Sequence, residues 1–317
     1  LYNEYKKNKK YIRVNILARK LNLMKSVRKK PFFTRKITYP TVVSNYKDDF
    51  IDFLILKNNI NKKEANKLWN MGWDSFGEEG FIGGNYCNFS EFYSNVFSFK
   101  HNTGKDEYHE TYQFHSALGF FRMLGYPAFT SERDLKLYVK FLHYLIECYN
   151  ESGDIVIIDY GAGLAQITVA LAKALKENNI NSKLVIFDID RFMHKEFLNF
   201  VGDKYKLNLE FIDINKKNPY PKLPKFDFMM VKDVFEHVHK PEKIVDNINS
   251  SIKEHGVLCA TTEDERDEMM HVTPNLKLVR DKLEKYGFEQ TGFSWFNRGF
   301  CYQKVNTDKM VGALNEQ

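Results

Sequence analysis

Three observations predict an α/β fold: a Rossmann-like, doubly wound, mostly parallel seven-stranded sheet closing with an antiparallel hairpin, plus an N-terminal helical cap. Short apolar, β-branched runs recur from Ile155 onward, with helical patterns between them. A glycine-rich turn, DYGAGLAQ (159–166), joins the first run to the helix behind it. Two further runs flank Asn297-Arg298-Gly299, a hairpin signal near the end of the chain. Parallel neighbours need crossover connections, so strands alternating with helices imply a parallel sheet covered on both faces.

The elements follow in order. Asp48–Leu56 and Lys62–Trp69 read as short helices. MGWDSFGEEGFIGGNYCNFSEFY (71–93) follows, and its glycines Gly72, Gly77, Gly80, Gly83 and Gly84 argue against regular structure. Its aromatic residues Trp73, Phe76, Phe81 and Tyr86 need burial, either as a lid over a pocket or as a wrap around the core. Tyr108–Leu124 is helical, Tyr126-Pro127 interrupts, and Ser131–Tyr149 forms a second helix with Ser131 as N-cap and Asp134 three residues on. In that helix Leu135, Val139, Leu142 and Ile146 recur with helical period. IVIID (155–159) is then the first strand, before a helix at Ala165–Asn178; LVIFDID (184–190) and Leu207–Ile212 are the second and third. Phe226–Val231 is the fourth, with a helix around Pro241–Glu254 and a fifth strand at Gly256–Thr261. Leu276–Tyr286 is helical, and GFEQTGFSWF (287–296) with GFCYQKV (299–305) make the hairpin. This divides the chain into a basic arm or linker (1–36), an aromatic-rich cap that selects substrate (37–149), a sheet domain (150–306) and a tail (307–317).

At 317 residues the chain can bury a substantial core, and with 43% hydrophobic and 28% charged residues it has a globular make-up. No apolar run approaches the ~20 residues that span a bilayer, and no signal-peptide pattern is visible. The chain starts at Leu1, as a fragment or processed piece would. Its cysteines, Cys87, Cys148, Cys259 and Cys301, form no CxxC pair, so free thiols and a cytoplasmic setting are expected. Residues 1–36 carry 13 Lys/Arg against one acid, Glu4, a balance of +12; with +6 overall, the remaining residues sum to −6. The arm interleaves Ile12, Ile16, Leu17, Leu21, Met24 and Val27 at roughly helical spacing. It reads either as an amphipathic helix for peripheral contact with an anionic membrane or acidic partner, or as a solvated linker. Nothing in it specifies nucleic acid.

The turn 159–166 places Gly161 and Gly163 where a backbone must bend sharply and approach a ligand. A dinucleotide fingerprint would carry glycine at the position of Gln166, and a tight ligand-free turn is the plain alternative. Asp159, Asp188 and Asp213 close three successive strands, so they line one crevice at the carboxyl edge of the sheet. An acidic rim suits a phosphate-free nucleoside with a cationic group better than a pyrophosphate.

Asp159-Tyr160-Gly161-Ala162-Gly163-Leu164-Ala165 resembles the D-x-G-x-G-x-G motif of class I S-adenosylmethionine-dependent methyltransferases, with alanine at 165 where glycine is commoner. VIFDID, FIDIN, FDFMMVKDVFEHV and the closing hairpin resemble that family's later motifs in order and spacing. The resemblance implies S-adenosylmethionine as cofactor, with Gly161 and Gly163 beneath its methionine part. It also implies Asp188 on the ribose and Asp213 with Ile214 on the adenine. Asp159, Tyr160, Ala162, Ile189 and Asp233 complete the implied cofactor set.

KDVFEHVHKP (232–241) follows the fourth strand. Asp233 and Glu236 fit a D-x-x-E capping box, which would make this an ordinary helix start with His237 merely packed. If helical, Asp233, Glu236 and His237 share one face instead. D-x-x-E-H-V resembles the E-x-x-E-H-V of ubiquinone-type O-methyltransferases and related small-RNA 2′-O-methyltransferases. In those relatives the segment can bind a divalent metal with a downstream histidine, for which His271 is the match. An imidazole is a suitable base for a hydroxyl acceptor, so His237 is the candidate base, Glu236 its orienter and His271 the alternative. His109-Glu110 and His115 do not reproduce the zinc-hydrolase spacing H-E-x-x-H. The expected activity is O-methylation of a sugar, glycan precursor or other small metabolite. RNA 2′-O-methylation and a non-catalytic cofactor-binding scaffold are the alternatives.

Overall fold

The computed structural model describes residues 46–76, 120, 123–124, 138–146, 154–190, 193–264, 271–295 and 299–304. The basic arm, the tail, His109, His115, Cys87, Cys148 and the expected N-cap Ser131 lie outside them. Among the described residues no helix is long and apolar enough to cross a membrane.

Two N-terminal helices come first, α1 (Lys47–Asn58) and α2 (Lys62–Phe76). α1 stops at Asn59, which turns left-handed at φ 52°. α2 opens on a reciprocal cap: the Asn61 side-chain oxygen accepts from the Glu64 N–H at 3.0 Å, and Glu64 accepts from the Asn61 N–H at 3.1 Å. α2 continues to Phe76, past the expected end at Trp69, so Gly72 sits within a helix rather than in an irregular stretch. Residues 138–146 are also helical.

The sheet then follows: β1 (Ile155–Tyr160), α3 (Gln166–Glu177), β2 (Ser182–Asp188), α4 (His194–Tyr205), β3 (Asn208–Asp213) and β4 (Phe226–Val231). A three-residue 3-10 turn, Phe235–His237, leads to α5 (Pro241–Ser251) and β5 (Ile252–Thr261). α6 (Lys277–Lys285), β6 (Phe288–Trp295) and β7 (Gly299–Lys304) finish the domain. α4 has no counterpart among the expected helices, although Phe197, Leu198 and Val201 are its buried, helically spaced face. β5 begins at Ile252, earlier than the Gly256 expected, because Ile252 pairs with Phe226 before the register jumps to Phe228 opposite Val257.

The strand order is β3-β2-β1-β4-β5-β7-β6, with β1 to β5 parallel and β7 antiparallel to both neighbours. The chain enters mid-sheet, builds β2 and β3 to one side, then returns to build β4 and β5 on the other. That reversal leaves a crevice beyond the carboxyl ends of β1 and β4, where open α/β sheets take ligands.

Alternating side chains of β1 feed two cores, Ile155 and Ile157 on one face and Ile158 and Tyr160 on the other. The first face also holds α1. Phe197 of α4 meets Tyr46, Phe53 and Phe120 edge-on, with ring centroids 5.2, 5.5 and 5.8 Å away. Such aromatic pairs each contribute ~0.5–1.5 kcal/mol beyond burial. Lys204 and the Tyr205 hydroxyl both bond Asp49 of α1 at 2.6 Å, pinning the rim of this contact. The N-terminal helices are thereby fastened to the β3 side of the sheet.

Candidate active site

The turn after β1 is shaped by its neighbours. Gly161 has φ 67°, and a Cβ there would lie 2.4 Å from Val234 Cγ2, so the segment leaving β4 presses directly on this glycine. Gly163, at φ 52°, faces Met123, whose Sδ would be 3.0 Å from an added Cβ. Ala165 adopts φ 50° without being glycine, at the position where the resembling motif usually has one. The Tyr46 hydroxyl donates to the Leu164 carbonyl at 3.0 Å and the Gln166 amide to the Met123 carbonyl at 2.8 Å. Residues N-terminal to the sheet therefore brace the turn from above.

The acids behave differently from one another. Asp159 is buried, accepts the Thr168 hydroxyl at 2.6 Å, and sits beneath the turn rather than in the crevice. Burial pushes its carboxyl up to about 7, with nearby Asp188 adding to the rise and Thr168 and Lys232 opposing it. The two oxygens of Asp188 each accept a backbone N–H at 2.7 Å, from Gly163 and from Ile189. Asp213 accepts the Asp190 N–H at 2.9 Å and the Asn215 amide at 2.8 Å, while the Ile214 N–H donates to the Asp188 carbonyl at 2.9 Å. β2 and β3 thus end in register, Asp188 opposite Asp213. Asp188 is buried and Asp213 half-buried. Ala162 edges the turn half-buried, whereas the Tyr160 ring is buried and stacked on Phe187 at 5.7 Å. Only the backbone of Tyr160 borders the crevice.

Beyond β4 the expected helix start is absent, which removes the capping-box reading. Asp233 takes φ 52°, outside any helix. Its N–H donates to the Thr261 hydroxyl at 3.1 Å, which in turn donates to the Asp233 carboxylate at 3.0 Å. This ties the end of β4 to the end of β5 and removes Asp233 from the face shared by Glu236 and His237. The sequence pattern D-x-x-E concealed this, because a left-handed aspartate and a helix N-cap share one residue preference.

Glu236 is buried, and its carbonyl accepts the N–H groups of Val272 and Thr273, both at 2.9 Å. The Thr273 hydroxyl donates to the Val238 carbonyl at 2.7 Å. These bonds deliver His271, distant in sequence, to the 3-10 turn. The His237 and His271 rings meet edge-on at 4.9 Å, and His237 Nε2 lies 3.8 Å from Glu236 Oε1. Ligand atoms of Glu236, His237 and His271 all lie within 4.8 Å of one another. Two imidazoles and a carboxylate form a donor set suited to a divalent cation as well as to proton transfer.

Sheet order, glycine turn and acid-lined crevice now stand together. A family model described as a methyltransferase domain matches residues 151–311, just over half of the chain. The chain belongs to that methyltransferase family. Its mixed seven-stranded sheet is in keeping with the fold of the class I S-adenosylmethionine-dependent methyltransferases. No curated protein sequence matches the chain. Similar solved structures include the cyclase SpnF, at 16% identity over 48% of this chain and 57% of that one, with TM-score 0.35. TehB from Haemophilus influenzae is similar at 14% identity over 51% and 62%, with TM-score 0.37. Coclaurine N-methyltransferase bound to N-methylheliamine and SAH is similar at 15% identity over 70% and 68%, also with TM-score 0.37. The chain spans less than two-thirds of the length of the first two.

The residues expected around the cofactor lie at the ends of β1, β2 and β3, except Asp233 after β4, with Asp159 beneath the turn and the Tyr160 ring turned into the core; Glu236, His237 and His271 gather separately. Three contributors escaped the sequence reading: Thr168 beneath Asp159, Thr261 beside Asp233, and the buried His194 at the start of α4. The missed helix α4 hid the last, since its apolar spacing was the signal that would have placed His194 beside the turn.

Proposed function

We propose that this methyltransferase transfers the methyl group of S-adenosylmethionine to a hydroxyl of a sugar, glycan precursor or other small metabolite. The observation that carries the reading is the cluster that His271 forms with Glu236 and His237, the latter two on the segment whose Val234 packs against Gly161. A hydroxyl acceptor must lose a proton as its oxygen attacks, and an imidazole beside a carboxylate suits that loss. The acceptor oxygen forms the new C–O bond while the methyl–sulfur bond breaks, its electron pair staying on sulfur to leave S-adenosylhomocysteine. The hydroxyl proton passes to His237, and the Glu236 carboxylate, 3.8 Å from Nε2, stabilises the imidazolium. Asp188 holds the ribose hydroxyls, Asp213 and Ile214 border the adenine, and the backbone of Gly161, Ala162 and Gly163 passes beneath the methionine part. Asp159 supports the turn from below. Were a divalent cation bound, Glu236, His237 and His271 would hold it, and it would supply Lewis-acid lowering of the acceptor's pKa.

The test is a transfer screen with radiolabelled S-adenosylmethionine against small hydroxyl compounds, amines and short RNA, each with and without EDTA. Label on hydroxyl compounds is the expected result, with a rate that falls as pH drops and the base protonates. Label on amines or RNA alone would overturn the reading. Full rates in EDTA would assign deprotonation to the imidazoles, and loss restored by added divalent ion would assign it to the metal.

A further inference from the structure

His194 lies outside the expected cofactor set, yet it is completely buried against two of its members. Its Nε2 is hydrogen-bonded to the Gly163 carbonyl, and its Nδ1 lies 3.3 Å from the Ile189 carbonyl. Gly163 and Ile189 are the same two residues whose N–H groups bind the oxygens of Asp188. The turn after β1 and the turn after β2 are thus joined twice, through their N–H groups by a carboxylate and through their carbonyls by an imidazole. Phe211 of β3 holds the ring edge-on, with centroids 5.4 Å apart.

A carbonyl only accepts and a neutral imidazole has one N–H, so the ring donates to one of the two carbonyls and packs against the other. We propose that His194 is a positioning residue of the cofactor site, whose ring, seated between the Gly163 and Ile189 carbonyls, fixes with Asp188 the spacing between the turn under the methionine part and the turn under the ribose.

This rests on the crevice being the S-adenosylmethionine site, and the experiment separates the two claims. Calorimetric titration with S-adenosylhomocysteine is run on the full-length wild type, His194→Phe and His194→Gln, alongside steady-state rates with an acceptor from the screen. Wild type binds; His194→Phe loses roughly tenfold or more in cofactor affinity, and His194→Gln, which keeps an amide donor, falls between. Maximal rate at saturating cofactor and KM for the acceptor stay unchanged, which mere loss of folded protein would not produce. Wild-type affinity in His194→Phe overturns the role of His194 alone, whereas absence of binding by the wild type overturns the site reading. Should both variants fail to fold, a long-range proton–nitrogen spectrum of histidine-labelled wild type decides. One solvent-protected imidazole with a hydrogen-bonded N–H supports the proposal, and the absence of any such ring would refute it.

Discussion

At the ends of β1 and β2 polar side chains close onto backbone, whereas beyond β4 they close onto one another. Asp188 and His194 bind the N–H and carbonyl groups of Gly163 and Ile189, so the cofactor side is set by two short turns. Glu236, His237 and His271 instead meet because one carbonyl grips the chain at Val272 and Thr273. The difference teaches where function is fixed and where it is free to vary. Backbone-held turns serve a constant ligand, while a cluster joined across a long loop can change acceptor by changing that loop. Among the described residues the two regions meet where Val234 presses on Gly161.

Four substitutions would break or sharpen this contrast. His237→Ala should lower kcat by about 10²–10⁴-fold while leaving S-adenosylhomocysteine affinity unchanged, measured by transfer rate and calorimetry. A parallel loss of affinity would mean that the two regions are one unit. Gly161→Ala should be next: a methyl 2.4 Å from Val234 Cγ2, at φ 67°, must displace that side chain. We expect a loss of ~2–3 kcal/mol in urea unfolding together with weaker cofactor binding, partly recovered in Gly161→Ala/Val234→Ala. No recovery would deny the contact between the regions.

Asp159→Asn tests the layer beneath the turn. Its carboxyl titrates at about 7 rather than 3.8, so the folded protein holds that proton more tightly than the unfolded chain does. Its contribution therefore falls as pH rises between those values, and the asparagine variant should unfold with a flatter pH dependence across that window. A slope identical to wild type would place no titrating carboxyl there. The smallest effect is stabilising: Ala165→Gly relieves φ 50° and should raise stability by ~1 kcal/mol in the same unfolding assay. A drop would show that the Ala165 methyl packs more favourably than its backbone is strained.

The contrast also explains what the sequence made legible. β-branched runs and crossover spacing announce a parallel sheet, and acids at strand ends with glycines between them announce the crevice, because each signal lies within a few residues. α4 was missed, although Phe197, Leu198 and Val201 carry its period, and with it went His194. The D-x-x-E pattern could not place Asp233, because αL aspartate and capping aspartate look alike in one dimension. That His271 belongs with His237 follows from family resemblance, but the Glu236 carbonyl that joins them has no sequence signature, since a backbone acceptor belongs to every residue. Gly161 was anticipated as a turn residue, while the pressure of Val234 on it arises only once β1 and β4 lie side by side.

The division of labour is the central claim, and one side-by-side titration tests it most directly. S-adenosylhomocysteine is titrated into wild type, Gly161→Ala and His237→Ala under identical conditions. Equal affinity is expected for wild type and His237→Ala, with a clear loss for Gly161→Ala. Binding that survives in Gly161→Ala but collapses in His237→Ala would contradict it.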